Sequence, residues 1–157
     1  MDAGPGNGEL ARADRARAED DDRDMDIDID YTRLLHFRTG IRRFLNWSEG
    51  QATALGITPA QHQLLLAIRG HAGRERPTIS DVAESLVLRH NSAVGLVDRA
   101  VDAGLVVREV DERDARVVRL RLTPLGSRRL RQLSRAHQEE LRRLGPRLTA
   151  LWADLDP

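Results

Sequence analysis

Apolar residues recur at steps of three and four over most of residues 31–155, and one pair of short β-branched runs interrupts them. Together these two features predict a mainly α chain carrying a single small β-hairpin. With 157 residues the chain is long enough for one domain with a modest core, and with 3 % aromatics that core has to be built from Leu, Val, Ile and Ala.

Residues 1–28 predict a disordered acidic tail. MDAGPGNGEL is rich in Gly and Pro, and EDDDRDMDIDID has little to bury. Residues 29–157 are then one folded domain. From Tyr31, the spacing of Leu34, Phe37, Ile41, Phe44, Leu45 and Ser48 predicts one long amphipathic helix over about 30–55, which Gly56 stops. Thr58-Pro59 starts a second helix, PAQHQLLLAIRGH, with Thr58 as N-cap. After the loop HAGRERP, Thr78 or Ser80 caps a short third helix, SDVAESLVL. NSAVGLVDRAVDAG forms a fourth, with Ala93, Leu96, Val97 and Ala100 as its apolar stripe and Gly104 beyond its end. LVVREV and VVRLRL flank the charged tip DERDAR and read as the hairpin. Thr123-Pro124 starts a fifth helix, Gly145-Pro146 is expected to break it, and RLTALWADL is a short last helix.

Several function classes drop out. Without cysteine there is no disulfide, thiolate metal site or cysteine nucleophile. GxSxG, Walker, HExxH and GxGxxG motifs are absent, so no enzyme and no cofactor are expected. His36, His62, His71, His90 and His137 lack H-x₃-H spacing within one helix, and the acid run 19–30 lacks the glycine and closing glutamate of a calcium loop, so no metal is expected. The N-terminus is not a secretory signal and no stretch is long and apolar enough for a membrane span, which makes a cytoplasmic protein the expectation. Net charge is zero but uneven: residues 1–30 carry −7 and residues 31–157 carry +7, all of the bases being arginine. A basic body beside an acidic tail is compatible with a nucleic-acid partner; the tail either shields the basic surface transiently or is a passive solubilising segment.

The order short helix, turn, helix, hairpin is that of a winged helix-turn-helix, here about residues 58–123. A capped short helix holds the next helix by its apolar stripe and leaves Arg89, His90, Asn91, Ser92, Val94 and Gly95 outward at that helix's start. Asn, Ser and His are short hydrogen-bonding groups suited to base edges and phosphates, and Gly95 permits close backbone approach. The arginines of the hairpin tip suit phosphates or a narrow minor groove. A winged-helix protein-interaction module that does not bind DNA is the alternative.

LVDRAVDAGLVVREVDERDARVVRLRLTPLG, residues 96–126, resembles the multiple-antibiotic-resistance regulator (MarR) family. The carrying pieces are Leu96 to Arg99, Gly104 to Val106, the wing Asp111-Arg113-Asp114-Arg116, and Leu122-Thr123 with Gly126; TPAQHQLLLAI and TISDVAESL are similar to the family's preceding helices. The resemblance implies a DNA-binding regulator. Arg116 would enter the minor groove and Arg113 would contact phosphate. His90, Asn91 and Ser92 would read the major groove. Asp114 would pair with Arg99, itself on the DNA-facing side, and hold the wing against the recognition helix. It also implies a homodimer joined by helices at about 30–55 and 124–155 on a pseudo-palindromic operator. The apolar stripe of the first helix and Leu141, Leu144, Leu148, Leu151, Trp152 and Leu155 favour the same conclusion, being too many to bury in one small chain. Finally it implies a repressor released by a small aromatic or phenolic effector, for which Arg43, Phe44, Trp47 and His62 are the candidate pocket; plain core is the competing reading of Phe44 and Trp47.

Overall fold

The computed structural model describes the backbone of residues 31–153 and the side chains of residues 31–146. The chain divides into two compact units, Met1–Arg38 and Thr39–Pro157, and every contact described below lies within the second. The expected acidic tail lies outside the described residues, as do the side chains of Leu148, Leu151, Trp152 and Leu155.

Among the described residues, five helices and one hairpin follow in the order the sequence predicts: α1 (Tyr31–Ala54), α2 (Pro59–Gly70), α3 (Ile79–Ser85), α4 (His90–Asp102), β1 (Val106–Val110), β2 (Val118–Leu122) and α5 (Pro124–Ala153). The strands pair antiparallel from Val106 opposite Leu122 to Val110 opposite Val118. The loop after α2 adds a one-residue third strand to the free edge of β2: Thr78 bridges Arg119, and Leu120 donates its N–H to the Pro77 carbonyl at 2.8 Å. The core sits where α2, α4 and the hairpin meet, on Leu64, Leu65, Val97, Val106 and Leu120, with Leu130 and Leu133 of α5 closing it.

The helix starts follow the capping rules. Thr58 accepts the Gln61 N–H and Gln61 returns its side-chain oxygen to the Thr58 N–H at 2.9 Å, a closed capping box. Thr78 and Asp81 form the same box on α3, at 2.7 Å from the Thr78 N–H to the carboxylate. The cap of α3 is therefore Thr78 and not Ser80, because Asp81 stands at the third helical position while Glu84 is one residue too far from Ser80. The helix ends at Ser85, three residues earlier than its apolar letters suggest.

Three helices end alike. After α1, Gly56 and Ile57 donate to the carbonyls of Thr53 and Ala52; after α4, Gly104 and Leu105 donate to Val101 and Ala100; after α3, Val87 and Leu88 donate to Glu84 and Ala83. Each is a Schellman closure, which requires a left-handed residue just past the helix. Two of the three use glycine, at φ 72° and 67°, but α3 uses Val87 at φ 54°. A β-branched residue there is strained, and Val87 gains nothing from packing because it is 92 % exposed. Val87→Gly is expected to stabilise the fold by about 1 kcal/mol, read as a higher urea midpoint at unchanged slope.

One expected boundary fails. Pro146 lies inside α5, and the predicted short last helix is the final part of that helix. Proline removes a single donor and crowds the carbonyl four residues back, here that of the exposed Arg142, where solvent can satisfy it. In a helix of 30 residues that local cost does not end the ladder.

Candidate nucleic-acid interface

The recognition surface begins with how α4 is held. Ala93, Leu96, Val97 and Ala100 are buried at three- and four-residue spacing, which fixes the opposite face outward. Arg89, His90, Asn91, Ser92 and Arg99 are exposed on it, while Val94 and Gly95 are half-buried. Arg89 is the N-cap residue, in extended conformation, and no side chain caps the helix. A Cβ built on Gly95 would meet only Nη1 of the exposed Arg99 side chain, at 3.4 Å, one turn further along the helix.

The wing tip is built by two aspartates. Asp111 Oδ1 accepts the N–H groups of Arg113 and Asp114 at 2.8 and 3.1 Å, and Asp114 Oδ1 accepts that of Arg116 at 3.0 Å. Each carboxylate thus folds the chain back on itself and holds an arginine as well. Asp111 takes Arg119 Nε at 2.5 Å, and Asp114 takes the Arg116 guanidinium at 3.1 and 3.3 Å. The expected Asp114–Arg99 pair is not formed, because Arg116 two residues away in the same turn occupies the carboxylate. The tie between wing and recognition helix is Arg108 Nη2 to Asp98 Oδ1 at 2.7 Å, adjacent in sequence to Arg99 and with the charges reversed. Arg116 projects with 91 % of its side chain exposed and Arg113 with 88 %, the latter 3.3 Å from Glu75.

Behind the tip lies an ion-pair network that sequence reasoning did not identify. Arg119 binds Asp111, Glu75 and the Arg76 carbonyl, while Glu109 binds Arg121 Nε at 2.6 Å and Arg76. The hairpin register places Glu109 opposite Arg119, but the pairs formed are diagonal, Glu109 with Arg121 and Asp111 with Arg119. The effect is to clamp β2 to the loop between α2 and α3. Hydrogen bonding from Arg119 and then from the Arg113 N–H holds the Asp111 carboxyl down from its ordinary 3.8 to about 2. Glu109 is lowered chiefly by Arg121, and Asp114 chiefly by Arg116. Carboxylates depressed on folding stabilise the wing above their ordinary range and cease to do so as pH falls through the folded value. Backbone amide shifts of residues 109–119 are therefore expected to hold steady from pH 7 to about 4 and to move between about pH 4 and pH 2. A transition centred near pH 6 would contradict this.

Phe44, Trp47 and His62 do come together, around His137, which the sequence brings up only as a metal-ligand candidate. Its ring centroid lies 4.9 Å from those of Trp47 and His62 and 5.8 Å from that of Phe44. His137 Nδ1 donates to the Leu133 carbonyl at 2.7 Å, and its Nε2 shares a hydrogen bond with the buried hydroxyl of Ser48, also at 2.7 Å. Burial, and then the neighbouring His137, lower the pKa of His62. The rings fill the space among α1, α2 and α5 with their own contacts; Arg43 is exposed and takes no part in the stack. Leu130, Leu133 and His137 fall at steps of three and four, and that spacing was the signal for an inward-facing histidine.

Residues 55–117 match the model of the MarR family. No curated protein matches the chain. Among solved structures, apo MarR from E. coli is 25 % identical with a TM-score of 0.61, over 82 % of this chain and 98 % of that one. CouR from Rhodococcus jostii RHA1, solved with p-coumaroyl-CoA, is 25 % identical with a TM-score of 0.61, over 73 % and 78 %. A MepR variant from S. aureus, solved on an oligodeoxyribonucleotide, is 21 % identical with a TM-score of 0.62, over 82 % and 99 %.

Proposed function

Residues 55–117 are a MarR-family winged helix, and from that premise we propose that the chain is a cytoplasmic, homodimeric repressor that reads a pseudo-palindromic operator in double-stranded DNA. That it is a DNA-binding transcriptional regulator follows from the family; the finer roles rest on the geometry. One observation carries them: an uncapped recognition helix exposes Asn91 and Ser92 on its bare first turn, and the wing tip exposes Arg116. Under this reading His90, Asn91 and Ser92 meet base edges. Arg89, Arg99 and Arg113 meet phosphates, and Arg116 enters the minor groove. Leu35, Ile41 and Leu45 of α1 and Leu141 of α5 are exposed, which supports a partner chain along these helices. Among the described residues no helix is long and apolar enough to cross a membrane. An effector that enters among α1, α2 and α5 has to part the rings of Phe44, Trp47 and His137.

The deciding experiment is selection from a random duplex pool with the full chain. Enrichment of an inverted repeat with half-site centres about one helical turn apart is expected. Asn91→Ala should relax the preference within each half-site while leaving the spacing intact. A pool that returns no enriched sequence, with binding indifferent to salt, would instead favour the interaction-module reading.

A further inference from the structure

We propose that a cationic cleft behind the wing, walled by the end of α2, the α2–α3 loop, β2 and the first turn of α5, is a binding site for a small organic anion with a flat apolar body. The cleft holds about 440 Å³, within the range of small-ligand sites. Its floor is apolar: Ile68, Pro77, Leu120 and Leu122 are buried there. Its rim is basic, with Arg69, His71 and Arg74 joined by Arg76 and Arg121.

The charges on the rim are unbalanced. Arg76 and Arg121 share one carboxylate, Glu109. Glu75, the acid among the lining residues, is already committed to Arg113 and Arg119. Arg69 and Arg74 form no ion pair among the described residues, His71 also acts electrostatically on Asp81, and the Ser127 hydroxyl that faces the same space makes no hydrogen bond to the described residues. A cleft with an apolar floor and several uncommitted cationic donors recognises a carboxylate or phosphate attached to an apolar body. The placement of His71 is specific. A Cβ on Gly73 would lie 2.4 Å from His71 Nε2, so the imidazole occupies room that only glycine leaves. A bound anion also competes with Glu109 for Arg76 and Arg121, and so draws on the clamp that fixes the wing.

The site can be tested without DNA, so its failure is separable from failure of the regulator reading. The full chain is titrated calorimetrically with phenyl phosphate, with inorganic phosphate and phenol as partial probes at matched ionic strength. Saturable binding of one phenyl phosphate per chain is expected, at least about tenfold tighter than either partial probe. Arg69→Ala with Arg74→Ala should weaken it by about tenfold or more, and Gly73→Ala should weaken it through the displaced imidazole. The exposed arginines of α5 serve as the control: Arg128→Ala with Arg131→Ala should leave binding unchanged. Undiminished binding in the Arg69/Arg74 double variant, inorganic phosphate as tight as phenyl phosphate, or loss of binding in the α5 control would each overturn the proposal.

Discussion

Gly126→Ala is expected to cost about 3 kcal/mol of stability, the largest effect of any conservative substitution in the winged helix. A Cβ at this position would stand 2.1 Å from the carbonyl oxygen of Leu105 and 3.1 Å from its carbon. The obstacle is backbone and cannot swing away. That carbonyl is pinned where it is, accepting the Thr123 N–H at 3.0 Å, while the Thr123 hydroxyl donates to the Gly104 carbonyl at 2.7 Å and accepts the Gly126 N–H at 3.0 Å. The Leu122-Thr123-x-x-Gly126 pattern is thus a joint: threonine caps α5 and ties it to the entry of β1, and glycine lets the helix sit on that strand's backbone. Gly95→Ala is the internal control. Its added methyl meets only the far end of the Arg99 side chain at 3.4 Å, and helix propensity should then favour alanine by about 0.5–1 kcal/mol. Urea denaturation of both variants checks the contrast; equal effects would mean that the α5 joint is loose.

Arg116→Ala is expected to weaken specific DNA binding by about 1–3 kcal/mol and to flatten its salt dependence by roughly one counterion. Arg116 is almost fully exposed, and its guanidinium is held by Asp114 with nothing else packed on it, so the substitution leaves the fold intact. Asp114→Ala should act differently. It frees the Arg116 guanidinium and removes the acceptor for the Arg116 N–H, so the arginine remains but is no longer aimed. Affinity should fall while the salt slope stays near the parent's, and the double variant should lose less than the sum. Fluorescence anisotropy at two salt concentrations on specific and scrambled duplexes separates these cases. Parent-like binding by Arg116→Ala would remove the wing from the interface.

The elements were legible wherever a single residue type decides. Thr58-Pro59 can only start a helix, and Gly56 and Gly104 suit the left-handed closures they make. The reading went astray where two candidates compete over one or two residues. Thr78 and Ser80 both cap, and only the placement of Asp81 separates them. Pro146 is a stop in a short helix but an interruption in a long one. Val87 gave no warning at all, because the hydrogen bonds around it impose its left-handed backbone against its own preference. In the site, Asn91 and Ser92 are outward because Ala93 and Leu96 are inward, whereas Val94 and Gly95, expected outward by the same phase, are half-buried. Charge partners were not. Asp114 to Arg116, Arg108 to Asp98, and Arg119 to Glu75 depend on the tightness of a turn or on segments far apart in sequence, and arginines are so plentiful here that every acid has several possible mates. The half-buried His137 was hidden by the arginines around it, although its step from Leu130 and Leu133 placed it on the inner face.

The bare start of α4 has a consequence for how stability is distributed. α2 and α3 begin with closed capping boxes, whereas the helix that would meet DNA begins with none. A missing cap leaves about 0.5–2 kcal/mol of local helix stability unrealised. Under the proposed docking, operator phosphates supply that cap. Part of the affinity for DNA is then the folding energy of the first turn of α4, held in reserve until the duplex arrives. A more self-sufficient α4 would tighten the free protein and diminish the difference between its free and bound states by the same amount.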